Sequence, residues 1–254
     1  MRYMISFLLL CLTCSSFSKT LDIYDADRDR YIPISVDFPS KNIDCSTSQK
    51  CNVAFISAGN KVPYQKYQFI TQLLNSMSYM TVAVDHELPN DPPLSIIGDL
   101  FKTRIENWQR GATTLDFLQR KLPTRFPEYN FHNIVLVGHS NGGDISAWLA
   151  NKGKPYISKI VTLDNRRVTL PKTAQIQVLS IRATEYPTAE SVLLTEEEQD
   201  IYHSCIIEIE NSKHMDLSDY GAISVKQRVE SLIKGFLSGQ DCNTLKSRNI
   251  ATLE

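Results

Sequence analysis

The sequence lacks an excess of charge of either sign. It has 27 lysine and arginine residues against 28 aspartate and glutamate residues, for a formal net charge of −1, so it offers no basic face for nucleic acid. It also lacks internal repeats, low-complexity tracts and any change of composition that would mark a second domain. A chain of 254 residues without such boundaries is the size of one domain with a substantial core.

Long hydrophobic runs are also absent, and the one marked apolar stretch is short. Residues 4–13 are almost wholly apolar, follow Arg2 and precede Ser15-Ser16-Phe17-Ser18, which has small residues at positions 16 and 18. This is the three-part pattern of a secretory signal peptide, and the run is too short to cross a bilayer as a helix. We expect a signal peptide over residues 1–18 and a mature domain over residues 19–254, secreted or periplasmic. The alternative is an uncleaved membrane anchor; otherwise membrane contact is peripheral at most.

Cysteine is sparse in the predicted mature domain. Two of the six cysteines lie within the predicted signal peptide, which leaves four. An even number in an exported chain favours disulfides. Cys45 and Cys51 bracket a short polar loop and form the expected pair, which leaves Cys205 with Cys242. The alternative is four free thiols; no spacing resembles a zinc site.

Strand and helix patterns alternate along the mature chain. Strand patterns occupy residues 21–24, 31–38, 52–57, 80–84, 134–137, 159–163, 175–181 and 205–209. Helical periodicity appears at residues 67–77, 108–122, 144–150 and 225–237. This alternation predicts an α/β fold, with a mostly parallel central sheet flanked by helices. Pro33 places its strand near an edge of that sheet.

The most informative segment is residues 134–143, which read IVLVGHSNGG. A buried strand leads into Gly138-x-Ser140-x-Gly142, and a helix pattern follows at once. Strand, sharp turn and helix are the context in which Gly-x-Ser-x-Gly forms a nucleophile elbow. The segment therefore predicts Ser140 as a catalytic nucleophile, with an ordinary Gly-rich turn as the alternative.

Connections after the predicted strands determine the shape of the pocket. Residues 87–105 form a Pro-rich connection and residues 183–200 a second irregular one, at the strand ends where open α/β sheets bind ligands. Only about ten residues separate Asp164 from the strand that begins at Gln175, too few for a helical lid. We expect little or no lid and an open pocket.

A nucleophilic serine needs a base, and five histidines are available. His214 follows the last predicted strand, where the base of an α/β-hydrolase belongs in the chain order. His86 ends a strand on the ligand side and, with Gly59 and His139, is a candidate for the pocket wall. His139 sits inside the elbow and fits a turn residue better than the base.

Two residues compete for the acid that orients the base. Asp164 ends the strand after the nucleophile helix, and Glu185 follows the next strand. Both lie at the carboxyl edge of the sheet, so spacing alone leaves the choice open.

Several segments resemble those of a known family. Residues 25–34 resemble the entry strand of the platelet-activating factor acetylhydrolase group, and residues 138–143 resemble its elbow. Residues 163–164 resemble its acid segment, and residues 56–60 its oxyanion strand. The whole mature chain resembles this group and the bacterial dienelactone hydrolase-like serine esterases within the α/β-hydrolase superfamily.

The resemblance implies a triad of Ser140, Asp164 and His214, and it favours Asp164 over Glu185. The shorter aspartate side chain also has one torsion fewer to immobilise.

The resemblance further implies that the backbone N–H groups of Asn60 and Asn141 form the oxyanion hole. The sequence departs from the family pattern here, because Ala58 replaces the usual histidine and Lys61 the second glycine.

These residues together predict an exported serine hydrolase that cleaves a carboxylic ester through an acyl-enzyme. The expected partner is a small-molecule or lipid ester, and the chemistry needs no metal or organic cofactor. The alternatives are a peptidase or amidase on the same triad, and a non-catalytic binding protein that retains the fold.

Overall fold

The computed structural model describes residues 18–39 and 44–251. Except for Ser18, the predicted signal peptide lies outside the described residues, and it stays a prediction. The strands are β1 (Ser18–Asp25), β2 (Arg30–Asp37), β3 (Cys51–Ser57), β4 (Tyr79–Val84), β5 (Tyr129–His139), β6 (Ile157–Leu163), β7 (Gln177–Ala183) and β8 (Ser204–Ile209). The helices are α1 (Gln68–Ser76), α2 (Leu100–Lys121), α3 (Asn141–Ala150), α4 (Glu196–Ile201), α5 (Ile223–Leu237) and α6 (Cys242–Ala251).

The eight described strands form one sheet in the order β1-β2-β4-β3-β5-β6-β7-β8. The β1–β2 and β2–β4 pairs are antiparallel, and the five remaining pairs are parallel. The predicted mostly parallel sheet is therefore confirmed. Pro33 lies in β2, next to the edge strand β1, and its carbonyl accepts a hydrogen bond from Asp85 at 3.0 Å.

The sheet has a hydrophobic core on each face, which explains why β5 reads as a continuous apolar run. Ile134 and Leu136 of β5 pack into the core beneath α2 and α3. Val135 and Val137 point the other way, into the core beneath α1, α5 and α6. Side chains of a strand alternate between faces, so a strand segment covered on both sides is mostly apolar.

Three helical features differ from the sequence prediction. The connection predicted over residues 87–105 ends early, because α2 begins at Leu100. Asp99 caps this helix by accepting hydrogen bonds from the Phe101 and Lys102 amides. The predicted loop over residues 183–200 contains the start of α4, whose N-terminus is fixed by a capping box between Thr195 and Glu198. Helix α6 was not predicted. The segment between β6 and β7 holds no helix, in agreement with the expected lack of a lid.

Both expected disulfides are present, Cys45–Cys51 and Cys205–Cys242. The first joins the start of β3 to the loop before it, and the second ties α6 to β8. Two disulfides fit an oxidising compartment. Among the described residues, no helix is both long enough and apolar enough to cross a membrane.

The two disulfides should stabilise the protein unequally. The Cys205–Cys242 bridge closes a loop of 37 residues against 6 for Cys45–Cys51. Loop-closure entropy then predicts stabilisation of about 4 kcal/mol from the longer loop and about 2 kcal/mol from the shorter. Urea unfolding of the Cys45→Ala/Cys51→Ala and Cys205→Ala/Cys242→Ala variants measures both values. Equal losses, or a larger loss from the first pair, would contradict the expectation.

Candidate active site

Ser140 stands at a sharp turn between β5 and α3. Its backbone has φ 52° and ψ −118°, a region that a non-glycine residue enters at a cost of roughly 1–3 kcal/mol. The Ser140 amide donates to the carbonyl of Leu163 at 2.8 Å, which ties the turn to the end of β6. The neighbouring structure thus holds Ser140 in the strained conformation of a nucleophile elbow.

The two glycines of the motif are required by close backbone contacts. A Cβ on Gly138 would lie 2.3 Å from the carbonyl oxygen of Gly142, inside the turn. A Cβ on Gly142 would lie 2.1 Å from the carbonyl oxygen of Ser57, at the end of β3. Neither distance is possible for a real side chain, so glycine at 138 lets the elbow close and glycine at 142 lets the first turn of α3 rest against β3.

The structure brings the predicted triad residues together. His214 begins a short 3₁₀ turn after β8, and its Nε2 lies 2.8 Å from Ser140 Oγ. Its Nδ1 forms a hydrogen bond with Oδ2 of Asp164, which follows β6 and is 1% exposed. A carboxylate can only accept, so Nδ1 carries the proton and Nε2 is free to accept the serine hydroxyl proton. The arrangement can activate Ser140 as a nucleophile.

Asp164 is held by cations as well as by His214. Arg182 of β7 places Nη2 2.8 Å from Asp164 Oδ1, and Arg166 places Nη1 3.9 Å from Oδ2. Burial raises the pKa of Asp164, but the His214 hydrogen bond and the two arginine charges outweigh it, so the pKa lies below its ordinary value. Asp164 is therefore ionised at neutral pH.

Sequence reasoning missed Arg182. Its guanidinium is 4% exposed and also donates to Asn165 Oδ1 at 3.0 Å and to the Thr188 hydroxyl. The available signal was one charged residue within the otherwise buried strand β7. A charge in such a strand requires a partner, and here the partner is Asp164.

Glu185, the alternative acid, does not reach the imidazole. It is exposed, and its Oε2 accepts a hydrogen bond from the His214 backbone amide at 2.9 Å. Glu185 thus anchors the backbone of the histidine turn, whereas Asp164 contacts the ring.

The two predicted oxyanion residues lie in segments next to Ser140: Asn141 follows it in the chain, and a Cβ on Gly59, the residue before Asn60, would lie 3.3 Å from Ser140 Cβ. Asn141 is the first residue of α3, and Asn60 lies in the turn after β3. Neither backbone N–H group, of Asn60 or of Asn141, donates a hydrogen bond within the described residues. The Asn141 side chain is fixed by Trp108 Nε1 and by Asn107 Oδ1 of α2, both at 2.9 Å. The Asn141 N–H group is therefore rigidly placed and free to donate.

A cavity of about 200 Å³ adjoins this turn. Its wall includes Gly59, Lys61, Asp85, His86, Glu87 and Asn141. Burial raises the pKa of the Asp85 and Glu87 carboxyls. A cavity of about 340 Å³ lies beside Cys205 at the amino end of β8, the opposite edge of the sheet from Ser140.

Of the three residues expected at the pocket wall, Gly59 and His86 line the cavity. His86 Nε2 lies 3.0 Å from Ser57 Oγ. Burial, with the charges of nearby arginines, lowers the His86 pKa to about 3, so the ring is neutral. His139 is not on the cavity wall: it is 1% exposed, and both of its ring nitrogens are hydrogen-bonded within the protein.

Solved structures share this fold over nearly the whole chain. A dienelactone hydrolase-like promiscuous phosphotriesterase from metagenomic libraries is 14% identical, with a TM-score of 0.61 over 89% of this chain and 99% of that chain. Dienelactone hydrolase from Anabaena variabilis is 11% identical, with a TM-score of 0.58 over 89% and 99%. A ferulic acid esterase from Streptomyces cinnamoneus is 16% identical, with a TM-score of 0.57 over 95% and 88%.

These likenesses confirm the α/β-hydrolase fold expected from the sequence. No protein-family model matches the sequence, and no curated protein matches it.

The Arg182–Asp164 pair should make stability depend on pH. The pKa of Asp164 is lower in the folded protein than in the unfolded chain, where it is about 4. Ionised Asp164 therefore stabilises the fold above about pH 4, and this stabilisation is lost as the pH falls through the pKa of the folded state. Replacing Arg182 with methionine raises the folded pKa. We expect Arg182→Met to lose about 3 kcal/mol at pH 7 and clearly less near pH 3.

Urea unfolding of wild type and variant at both pH values measures the difference. Arg228→Met is the matched control, because Arg228 is also buried but donates to the neutral Asn249 side chain. The hypothesis fails if Arg182→Met loses the same free energy at both pH values.

Proposed function

We propose that the protein is a serine hydrolase that cleaves a carboxylic ester. The observation that supports this most is the hydrogen-bonded series from Ser140 Oγ through His214 to Asp164 at a strained elbow. Fold neighbours whose names include an esterase and a dienelactone hydrolase support the same reaction class.

In the proposed reaction, Ser140 Oγ attacks the acyl carbonyl carbon while His214 Nε2 accepts the hydroxyl proton. Asp164 stabilises the imidazolium, and the N–H groups of Asn60 and Asn141 donate to the oxyanion. Collapse of the intermediate expels the alcohol, which takes the proton from His214 and leaves an acyl-serine. Water then attacks the acyl carbonyl carbon while His214 Nε2 accepts one of its protons. The bond between Ser140 Oγ and the acyl carbon breaks, Oγ takes the proton back from His214, and the acid is released. The steps use side chains, backbone and water alone.

The cavity lined by Asn141 and by Gly59 and Lys61, the two chain neighbours of Asn60, supports a small ester as substrate. Its volume of about 200 Å³ lies below the 300–1,000 Å³ of common ligand pockets. We propose that it receives an acyl group of a few carbons. The segment between β6 and β7 adds no helical lid to extend it.

We also propose that the protein acts outside the cytoplasm, secreted or periplasmic. The two disulfides support an oxidising compartment, and the N-terminal sequence pattern supports export.

Hydrolysis of aryl esters from acetyl to palmitoyl tests the proposal. We expect turnover of the short esters to exceed that of palmitoyl esters, and no comparable turnover of the matching anilides, which would instead indicate an amidase. Ser140→Ala should lower ester turnover by at least about 10³-fold, because only binding and oxyanion stabilisation survive. Ser146→Ala, on the same helix, is the matched control. A Ser140→Ala variant within tenfold of wild type would remove this serine from the mechanism.

A second pair of variants tests the acid. Asp164→Asn should lower turnover by about 10³–10⁴-fold, because the amide favours the wrong imidazole tautomer. Glu185→Gln should keep at least about a tenth of the activity, since the amide oxygen can still accept from the His214 backbone. Paired kinetics on one short ester measures both. The reverse ranking would make Glu185 the acid.

A further inference from the structure

Behind Ser140, two buried side chains form a hydrogen-bonded series that the proposed mechanism does not use. The Gly59 amide donates to Tyr67 Oη at 3.0 Å. Tyr67 Oη lies 2.8 Å from His139 Nδ1, and His139 Nε2 lies 2.9 Å from the His214 carbonyl oxygen. Tyr67 and His139 are each 1% exposed.

The protons of this series fit in one way. The His214 carbonyl can only accept, so His139 Nε2 carries a proton and donates it. Burial, followed by the nearby His214 charge, lowers the His139 pKa to about 3, so the ring is neutral and Nδ1 is bare. Tyr67 therefore donates its hydroxyl proton to Nδ1 while it accepts from Gly59. Every polar atom of both side chains has a partner.

The series connects three segments whose relative positions matter for the proposed reaction: the turn that carries Asn60, the elbow at Ser140 and the turn at His214. Gly59 immediately precedes Asn60, whose amide is a proposed oxyanion donor. His139 immediately precedes Ser140, and its ring packs against the His214 ring with centroids 4.8 Å apart. Through His139, the elbow is thus hydrogen-bonded directly to the His214 turn on one side and, by way of the Tyr67 hydroxyl, to the turn that carries Asn60 on the other.

We propose that Tyr67 and His139 are positioning residues, which hold the oxyanion turn and the His214 turn at fixed distances from Ser140. This inference rests on the proposed function. It gives His139 a role that a charged ring could not fill, because an imidazolium beside His214 would oppose the positive charge that His214 gains in the reaction.

Kinetics of three variants test the proposal. Tyr67→Phe removes the central hydroxyl and His139→Leu removes both ring contacts, whereas His139→Gln keeps an amide N–H for the His214 carbonyl. We expect kcat to fall about 10–100-fold for the first two with little change in KM, because small misplacement of reacting groups lowers the rate. The kcat of the Tyr67→Phe/His139→Leu double variant should lie within about threefold of that of His139→Leu, since both changes interrupt the same hydrogen-bonded series.

We expect His139→Gln to recover part of the kcat lost in His139→Leu. The rate at which a fluorophosphonate labels Ser140 should fall in parallel with kcat. Tyr79→Phe is the matched control, a second buried tyrosine, at the amino end of β4. Variants that lose thermal stability but keep kcat and the labelling rate would show a purely structural role and overturn the proposal.

Nitrogen NMR of histidine in the wild-type protein gives a test that needs neither turnover nor a variant. His139 should be a neutral Nε2–H tautomer from pH 5 to pH 9. An Nδ1–H tautomer, or titration of His139 in this range, would overturn the proposal even if all variants fail to fold. A wild type that neither hydrolyses esters nor labels at Ser140 contradicts the proposed function instead, which is a separate result.

Discussion

The contact between the first turn of α3 and the end of β3 is the constraint on which the site depends. Gly142 approaches the Ser57 carbonyl so closely that no side chain fits between them. This approach fixes the elbow against the turn after β3, which carries Asn60 of the proposed oxyanion hole, and places the backbone N–H group of Asn141 beside that turn. It also leaves Ser140 little choice of backbone conformation, so the surrounding sheet sustains the strain at φ 52°. The geometry at Ser140 is thus a consequence of packing between backbones rather than of side-chain preference.

The charges around the proposed triad are set by the order of the strands in the sheet. Because β6 and β7 are neighbours, Arg182 lies beside Asp164 at the carboxyl edge. The His214 hydrogen bond, together with this cation, keeps the pKa of the carboxyl low despite its burial, so Asp164 is ionised. His139 and His86, by contrast, are kept neutral by burial. Of the four buried groups Asp164, Arg182, His139 and His86, the two that are charged form an ion pair with each other.

Much of the fold could be predicted because burial leaves a periodic signal. The apolar residues 134–137 of β5 and the turn at Ser140 could be predicted from the local sequence pattern, and His214 from its place in the chain order. The first turns of α2 were not predicted, although Phe101, Ile105 and Trp108 stand at helical spacing, because seven of the eight residues 100–107 are exposed or half-buried and the apolar signal there is weak. Arg182 and Tyr67 were not either. Tyr67 meets His139 across 72 residues of chain, and only the order of the strands, which local pattern does not encode, brings the two together.

The buried polar groups at the carboxyl edge contribute little net free energy to folding, because the hydration that they lose is large. Tyr67, His139, Asp164 and Arg182 lose hydration on folding, and their mutual hydrogen bonds roughly offset that loss. Apolar residues of similar volume would satisfy the two hydrophobic cores equally well. The cores on either face already hold the sheet together without them. A set of fully paired polar side chains gathered around one strained serine is therefore better explained by the geometry it imposes than by the free energy of unfolding.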